Sequence, residues 1–224
     1  MFALRFFAGP IVERISPLGL LAVSALLGAL GLTLLGNAEG GLMCVVAATV
    51  YGIGKTFYWP TMLGVVSERF PKGGALTMGA MGGIGMLSAG LLGGPVIGYK
   101  QDYFASTKLQ SVDKETYERF KVPTAGAPLP GLPLINGLDG SKVTVLEKGD
   151  NKGLQADLAT LEKAGAKGNI VEETKKLNTW WTDTEEKHAK EDAKKVADAR
   201  MYGGQMALIY TAFVPAFMAI GYLL

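Results

Sequence analysis

Charge is distributed very unevenly along this chain of 224 residues. The chain holds 22 Lys and Arg and 20 Asp and Glu residues, and all but eight of them lie within residues 100–200. Because a charged side chain at the centre of a bilayer costs roughly 3 kcal/mol or more, long segments without charge are typical of membrane spans. The pattern therefore predicts membrane helices that are interrupted by one charged insert.

Four apolar segments are long enough to cross a hydrocarbon core, which takes roughly 20 helical residues. They are residues 15–38, 40–66, 73–99 and 201–224. A shorter apolar segment opens the chain, and both ends lie within apolar sequence. We therefore predict an all-α polytopic membrane protein with four transmembrane helices and part of a fifth, and we expect the chain to be a fragment of a longer protein.

The predicted organisation has three parts: a transmembrane bundle at residues 1–99, a charged insert at residues 100–200 and a truncated last span at residues 201–224. Basic residues in short loops mark the cytoplasmic side of a membrane. The loops before the first span and after the second carry such residues, whereas the loop between these spans carries only Glu39. We therefore expect an integral protein of a bacterial inner (plasma) membrane, with the insert outside the cytoplasm.

Lys55 is the one charge within a predicted span, about 14 residues from its start. An ionisable group at that depth usually faces a bundle interior or a water-filled cavity, and marks a solute or ion pathway. Helical spacing places aromatic side chains on nearly the same face, namely those of Tyr51, Tyr58 and Trp59. We predict that these four residues line a pathway; the alternative is a structural lysine paired with an Asp or Glu on a missing helix.

Glycine is dense in the third span, where pairs four residues apart, such as Gly79 and Gly83, are typical of close helix contacts in membranes. Pro95 follows, and proline within a span is tolerated where neighbouring helices or a cavity cover the freed carbonyl. The pattern fits a bending, moving helix, but it also fits a static, tightly packed one. Within the second span we expect Cys44 to be buried and to have a structural role.

The insert contains few large aliphatic residues, so its capacity to fold compactly is doubtful from composition alone. Residues 122–138 are predicted to form an extended loop, and residues 153–164 and 170–200 to form helices, the second of which continues into the last span. Glu185, Glu186 and His188 are expected on its solvent-exposed side. The insert either covers the outer mouth of the protein or binds a partner.

Several classes of function are not expected from the sequence. The insert balances acidic and basic residues and has no basic patch, so nucleic acid is not an expected partner. No cluster of His and Cys, nucleophile elbow or phosphate loop is present, so we predict no metal site, no cofactor and no enzymatic activity.

The loop before the first full span resembles the signature G-x-x-x-D-R-x-G-R-R of the major facilitator superfamily of secondary transporters. Gly9, Glu13 and Arg14 match this pattern, whereas Ser16 and Pro17 depart from it. The third span resembles the family motif G-x-x-x-G-P-x-x-G, carried here by Gly90, Gly94, Pro95 and Gly98. The second span, with its Gly-Ile-Gly run and Pro60, is similar to the fourth helix of a family half.

The resemblance implies the C-terminal half of such a transporter, from the end of helix eight through helix twelve, with the N-terminal half as the alternative. It implies alternating access, with a coupling proton or Na⁺ and a missing transmembrane half as partners within the lipid bilayer. The depth and helical face of Lys55 favour a small polar or anionic solute. Glu13 and Arg14 would form a cytoplasmic latch, and the glycine and proline helix would rearrange during transport. The alternative function is a receptor or scaffold whose insert binds a partner.

Overall fold

The structure is a computed structural model that describes residues 14–165 and 168–224. Within them the fold is all helical, without a β-strand, and it forms two compact units. The membrane unit ends at Lys100 and resumes at Gly204, and the insert unit runs from Gln101 to Gly203. Four helical segments are long and apolar enough to span a membrane, in agreement with the sequence. These four helices make the chain an integral membrane protein.

The membrane unit begins with helices α1 (Pro17–Gly36) and α2 (Gly41–Arg69). Ser16 caps α1 by accepting a hydrogen bond from the Gly19 backbone N–H at 3.2 Å, and the proline that follows suits a first helical position. A short 3₁₀ turn (Pro71–Gly73) then leads into α3 (Gly74–Ser88), a π-helical turn (Ala89–Gly93) and α4 (Gly94–Val112).

Close packing between α1 and α2 depends on glycine. A Cβ added at Gly31 would lie 2.5 Å from the Tyr51 backbone nitrogen, and one added at Gly54 would lie 2.7 Å from the Ser24 carbonyl oxygen. Such distances exclude any side chain unless the helices move apart. The two backbones therefore approach as closely as they do because small residues face each other, as is typical of membrane helices.

The glycines between residues 79 and 98 differ from the prediction in their contacts. A Cβ added at Gly79, Gly83, Gly90 or Gly98 would meet nothing within 4 Å among the described residues. These glycines therefore do not form the predicted close contacts with the residues that the structure describes, whereas the Trp59 ring lies beside Gly82 and Gly85. Cys44 is also exposed instead of buried, since the first six residues of α2 have no described neighbour packed over them.

The insert unit contains four short helices besides the outer parts of α4 and the last helix. They are α5 (Lys114–Phe120), α6 (Gly140–Lys148), α7 (Lys152–Lys163) and α8 (Asn169–Trp180). Aspartates cap two of them: Asp113 accepts backbone hydrogen bonds at the start of α5, and Asp139 does so at the start of α6. Residues 122–138 form the predicted loop, which two isolated antiparallel bridges pair with itself and with its flanks.

The predicted helix at residues 170–200 is interrupted. After α8 a π-helical turn (Trp181–Glu185) and a tight turn at residues 186–188 precede the last helix, α9 (Ala189–Leu223). The wide turn brings both Trp181 and Glu185 to the buried side. The expected continuation into the last span is confirmed, since α9 runs without a break through residue 200.

The insert unit has a hydrophobic core of its own, in contrast to the doubt raised by its composition. Phe120 and Leu109 are fully buried, and Trp181 is nearly so. The Phe120 and Trp180 rings meet edge to face with centroids 5.3 Å apart. The few Leu and Val residues of the insert are thus gathered in one core together with large aromatic side chains.

Candidate functional site

A cavity of about 560 Å³ lies within the membrane unit. Its wall is mostly apolar and is built by α1, α2, α9 and the segment from the π-helical turn to α4. Seven polar or charged side chains lie on this wall, contributed by Ser24, Tyr51, Lys55, Tyr58, Lys100, Tyr210 and Thr211. A mostly apolar cavity with a few convergent polar groups is the usual form of a small-molecule site.

Lys55 reaches this cavity from the middle of α2, together with Tyr51 and Tyr58. One helical turn separates Lys55 from Tyr51, and its Nζ lies 6.0 Å from the centre of the Tyr51 ring. The ring face offers a weak attraction to the ammonium group. Within residues 14–165 and 168–224, Lys55 forms no ion pair, so the acidic partner of the structural alternative is not among them.

Trp59 is not among the residues that line the cavity. Its ring lies beside α3, where a Cβ added at Gly85 would be 3.6 Å away. Trp59 therefore packs between α2 and α3. Helical spacing alone could not show that Tyr58 faces the cavity and Trp59 faces α3, because the two residues are adjacent in the chain.

Tyr58 forms the most specific polar contact of the membrane unit. Its hydroxyl lies 2.6 Å from that of Tyr222 on α9, and the two rings meet edge to face. It also lies 3.4 Å from the Met218 sulfur. These contacts connect α2 to α9, and the sequence offered no signal for them because the partners are more than 150 positions apart.

The glycine and proline motif surrounds the π-helical turn. Pro95 has no N–H to donate to the carbonyl of residue 91, and its ring crowds that carbonyl. A wide turn immediately before the proline relieves this conflict, and the Gly94 N–H donates to the Ala89 carbonyl, five residues back. Gly93 and its neighbour Leu92 line the cavity, whereas Gly90, Gly94, Pro95 and Gly98 do not.

The predicted cytoplasmic motif is only partly described. Gly9 and Glu13 lie outside the described residues, and Arg14 is exposed ahead of α1. Its charge contacts in the proposed latch therefore stay a prediction.

Lys100 was assigned to the charged insert from the sequence, and the structure places it on the cavity wall. Its Nζ lies 5.0 Å from the centre of the Tyr210 ring on α9. The sequence contained one indication of this position, because a lysine at the end of a span can extend its ammonium group several ångströms along the helix.

The insert unit contains a buried polar cluster that the sequence did not indicate. Arg119 donates to Asp192 at 2.5 Å, and its Nε lies 3.5 Å from a Glu185 carboxylate oxygen. The Thr116 hydroxyl donates to Asp192 at 2.9 Å. Both carboxylates are buried, so the prediction that Glu185 lies on a solvated face is wrong, whereas Glu186 and His188 are exposed as expected.

Glu185 is the least satisfied member of this cluster. Neither of its carboxylate oxygens accepts a hydrogen bond from the described residues, and the contact with Arg119 is too long to be one. Burial raises the pKa of the Glu185 carboxyl to about 7, with the neighbouring Asp192 carboxylate adding to the shift and Arg119 opposing it.

Comparison with known proteins identifies no relative. No protein-family model matches the chain, and no curated protein or solved structure is significantly similar to it. The function must therefore be argued from the residues and the geometry of the site.

Proposed function

We propose that this chain is part of a secondary active transporter that moves a small polar or anionic solute by alternating access. The observation that carries the proposal is Lys55, a charged residue midway along a candidate membrane span that lines a cavity without an ion pair among the described residues. A charge at that depth is costly and is usually retained for a function in transport or ion movement.

The wall around Lys55 suits a solute that is bound and then released. Tyr51, Tyr58 and Thr211 offer ring faces and hydroxyl groups, and the remaining wall is mostly apolar. Weak, distributed contacts of this kind allow a solute to leave the site as well as enter it. The lysine selects for negative charge, so sugar acids and organic acids are the expected solute classes.

The resemblance to the major facilitator superfamily supplies the proposed mechanism. In that family two halves rock around a site at the midplane of the membrane. The π-helical turn before Pro95 interrupts the regular helix at the cavity wall. The wall of the site has to change shape when the two halves rock around it. The coupling ion, a proton or Na⁺, and the second half are further parts of this proposal, as is the position of the insert outside the cytoplasm of a bacterial inner membrane.

The test is uptake by proteoliposomes that contain the full-length protein. Lys55→Ala is expected to abolish uptake while leaving expression and thermal stability intact. Lys72→Ala is the matched control, since Lys72 is exposed in the 3₁₀ turn outside the cavity. Normal uptake by Lys55→Ala would refute the role of the lysine, and loss of folded protein would favour a structural role.

A second candidate is a receptor or scaffold that works through the insert unit. Its support is the independent hydrophobic core of that unit, which a mere connecting loop does not need. Deletion of residues 101–199 distinguishes the two candidates: a transporter is expected to retain some flux, whereas a receptor loses its partner.

A further inference from the structure

Two lysines on different helices reach the cavity of the membrane unit. Lys55 extends from α2 and Lys100 from α4, and both line the same wall. Each ammonium group lies over a tyrosine ring, Lys55 at 6.0 Å from Tyr51 and Lys100 at 5.0 Å from Tyr210. The cavity therefore has two separate cationic positions, each held beside an aromatic face.

These two charges lack compensation in the part of the chain that the structure describes. No Asp or Glu is among the residues that line the cavity, and neither lysine forms an ion pair there. A tyrosine ring contributes only about 0.5–2 kcal/mol to holding a cation. An ammonium group within a span costs roughly 3 kcal/mol or more, so anionic groups on a bound molecule would stabilise the site.

Lys55 and Lys100 line the same cavity, whose volume is about 560 Å³. A cavity of this size is in the range of small-molecule sites. One small molecule within the cavity can therefore meet both lysines.

We propose that the cavity binds a solute with two separated anionic groups, of the class of the linear dicarboxylates. One carboxylate pairs with Lys55 and the other with Lys100, and the carbon chain between them lies against apolar wall residues such as Leu32, Val96 and Val214. This inference rests on the proposed function, because it treats the cavity as the transport site, and it narrows the solute from an anion to a dianion.

The binding experiment uses the purified full-length protein in lipid nanodiscs, with succinate, glutarate and adipate as probes. Each is compared at neutral pH with its monomethyl ester, which has the same carbon chain and one charge fewer. The best dicarboxylate is expected to bind at least about tenfold more tightly than its ester. Inorganic sulfate, a compact dianion, is expected to compete poorly because it cannot reach both lysines.

Single substitutions then test each lysine. In Lys55→Gln and in Lys100→Gln the preference for the dicarboxylate over its ester is expected to fall to about onefold, because one charged partner remains. Retained binding of the ester shows that each variant is folded. The matched control, Lys72→Gln, is expected to keep the full preference.

The outcomes separate this inference from the proposed function. Equal affinity for dicarboxylate and ester, no binding of any dicarboxylate to folded protein, or equal competition by sulfate overturns the dianion site. Uptake of neutral or monoanionic solutes without a dicarboxylate preference also overturns it but upholds the transporter. Tight, lysine-dependent dicarboxylate binding without uptake in proteoliposomes supports the dianion site and refutes transport.

Discussion

The membrane unit and the insert unit are stabilised in opposite ways. In the membrane unit large apolar side chains are on the outside, with Leu42 81% and Leu76 82% exposed, and small residues lie where helices meet. In the insert unit Phe120, Tyr117 and Trp181 are buried in a core, and most charged side chains are on the surface. The difference shows that the surrounding solvent, lipid or water, determines which residues a helix turns inward.

The two units also treat charge differently. The insert unit buries Asp192 and Glu185, but it places Arg119 beside both and gives Asp192 one further hydrogen-bond donor, the Thr116 hydroxyl. The membrane unit leaves Lys55 and Lys100 with ring contacts only, among the described residues. A buried charge with a cation and hydrogen-bond donors around it, such as Asp192, is a structural element, whereas Lys55 and Lys100 are available to a ligand.

The largest expected effect comes from removing the arginine of the buried cluster. Arg119→Met leaves two buried carboxylates without their cation, so the free energy of unfolding of the insert unit is expected to fall by about 3–5 kcal/mol. Urea unfolding followed by tryptophan fluorescence measures this in a Trp59→Phe background, where the remaining two tryptophans, Trp180 and Trp181, both belong to the insert.

The control for this change is Lys152→Met. Lys152 pairs with Asp150 at 3.5 Å on the surface, with both side chains largely exposed, so its removal is expected to cost no more than about 1 kcal/mol. Similar losses in the two variants would contradict the expected difference between a buried and an exposed ion pair.

The next effect is a pH dependence that arises from Glu185. Its pKa is near 4.5 when unfolded and about 7 when folded, so the folded state holds the proton more tightly. Stability is therefore full below the unfolded pKa, falls as the pH rises toward 7 and is then constant, a total of roughly 3 kcal/mol. Glu185→Gln, measured by urea unfolding from about pH 5 to pH 8, is expected to remove this slope.

Glu186→Gln serves as the neighbouring control, because Glu186 is exposed and its substitution is expected to leave the slope unchanged. An unchanged slope in Glu185→Gln would show that another group carries the pH dependence. Asp113, whose pKa its hydrogen bond with Lys195 holds well below the usual range, acts only in more acidic solution.

A smaller effect is expected at the glycines that join α1 to α2. Gly54→Ala places a Cβ 2.7 Å from backbone atoms of α1, which is expected to cost about 1–3 kcal/mol through forced separation of the helices. The loss of folded protein on heating, followed by size-exclusion chromatography, measures it. Gly83→Ala, where a Cβ meets nothing within 4 Å, is expected to leave thermal stability unchanged. An equal loss of stability in both variants would indicate that α3 does make the predicted close contacts.

The smallest effect concerns the hydrogen bond that connects α2 to α9. Tyr58→Phe removes the 2.6 Å contact with the Tyr222 hydroxyl and is expected to destabilise the membrane unit by about 0.6 kcal/mol. The same heating assay applies. Tyr51→Phe keeps its ring beside Lys55 and is expected to leave thermal stability unchanged. A larger loss of stability in Tyr51→Phe than in Tyr58→Phe would argue against a stabilising hydrogen bond between Tyr58 and Tyr222.

Some features of the site were accessible from the sequence and others were not. Lys55 was accessible because a lone charge in an apolar segment stands out in a one-dimensional pattern, and helical spacing identified Tyr51 and Tyr58 beside it. Lys100 was hidden among the charges of the insert. The glycines were visible, but their abundance in α3 drew attention away from Gly31 and Gly54, whose importance depends on what lies opposite them.

The sequence by itself determined that this is an all-helical protein with membrane spans and a charged insert. Charged side chains are costly in lipid, so their distribution along the chain separates membrane spans from solvated segments. Only the tertiary structure decided which residues meet. It brought Lys55 and Lys100 to one cavity, placed the Trp59 ring beside α3 and buried Glu185 beside Asp192. Periodicity specifies the face of a helix, whereas the neighbour of that face depends on contacts between residues far apart in the chain.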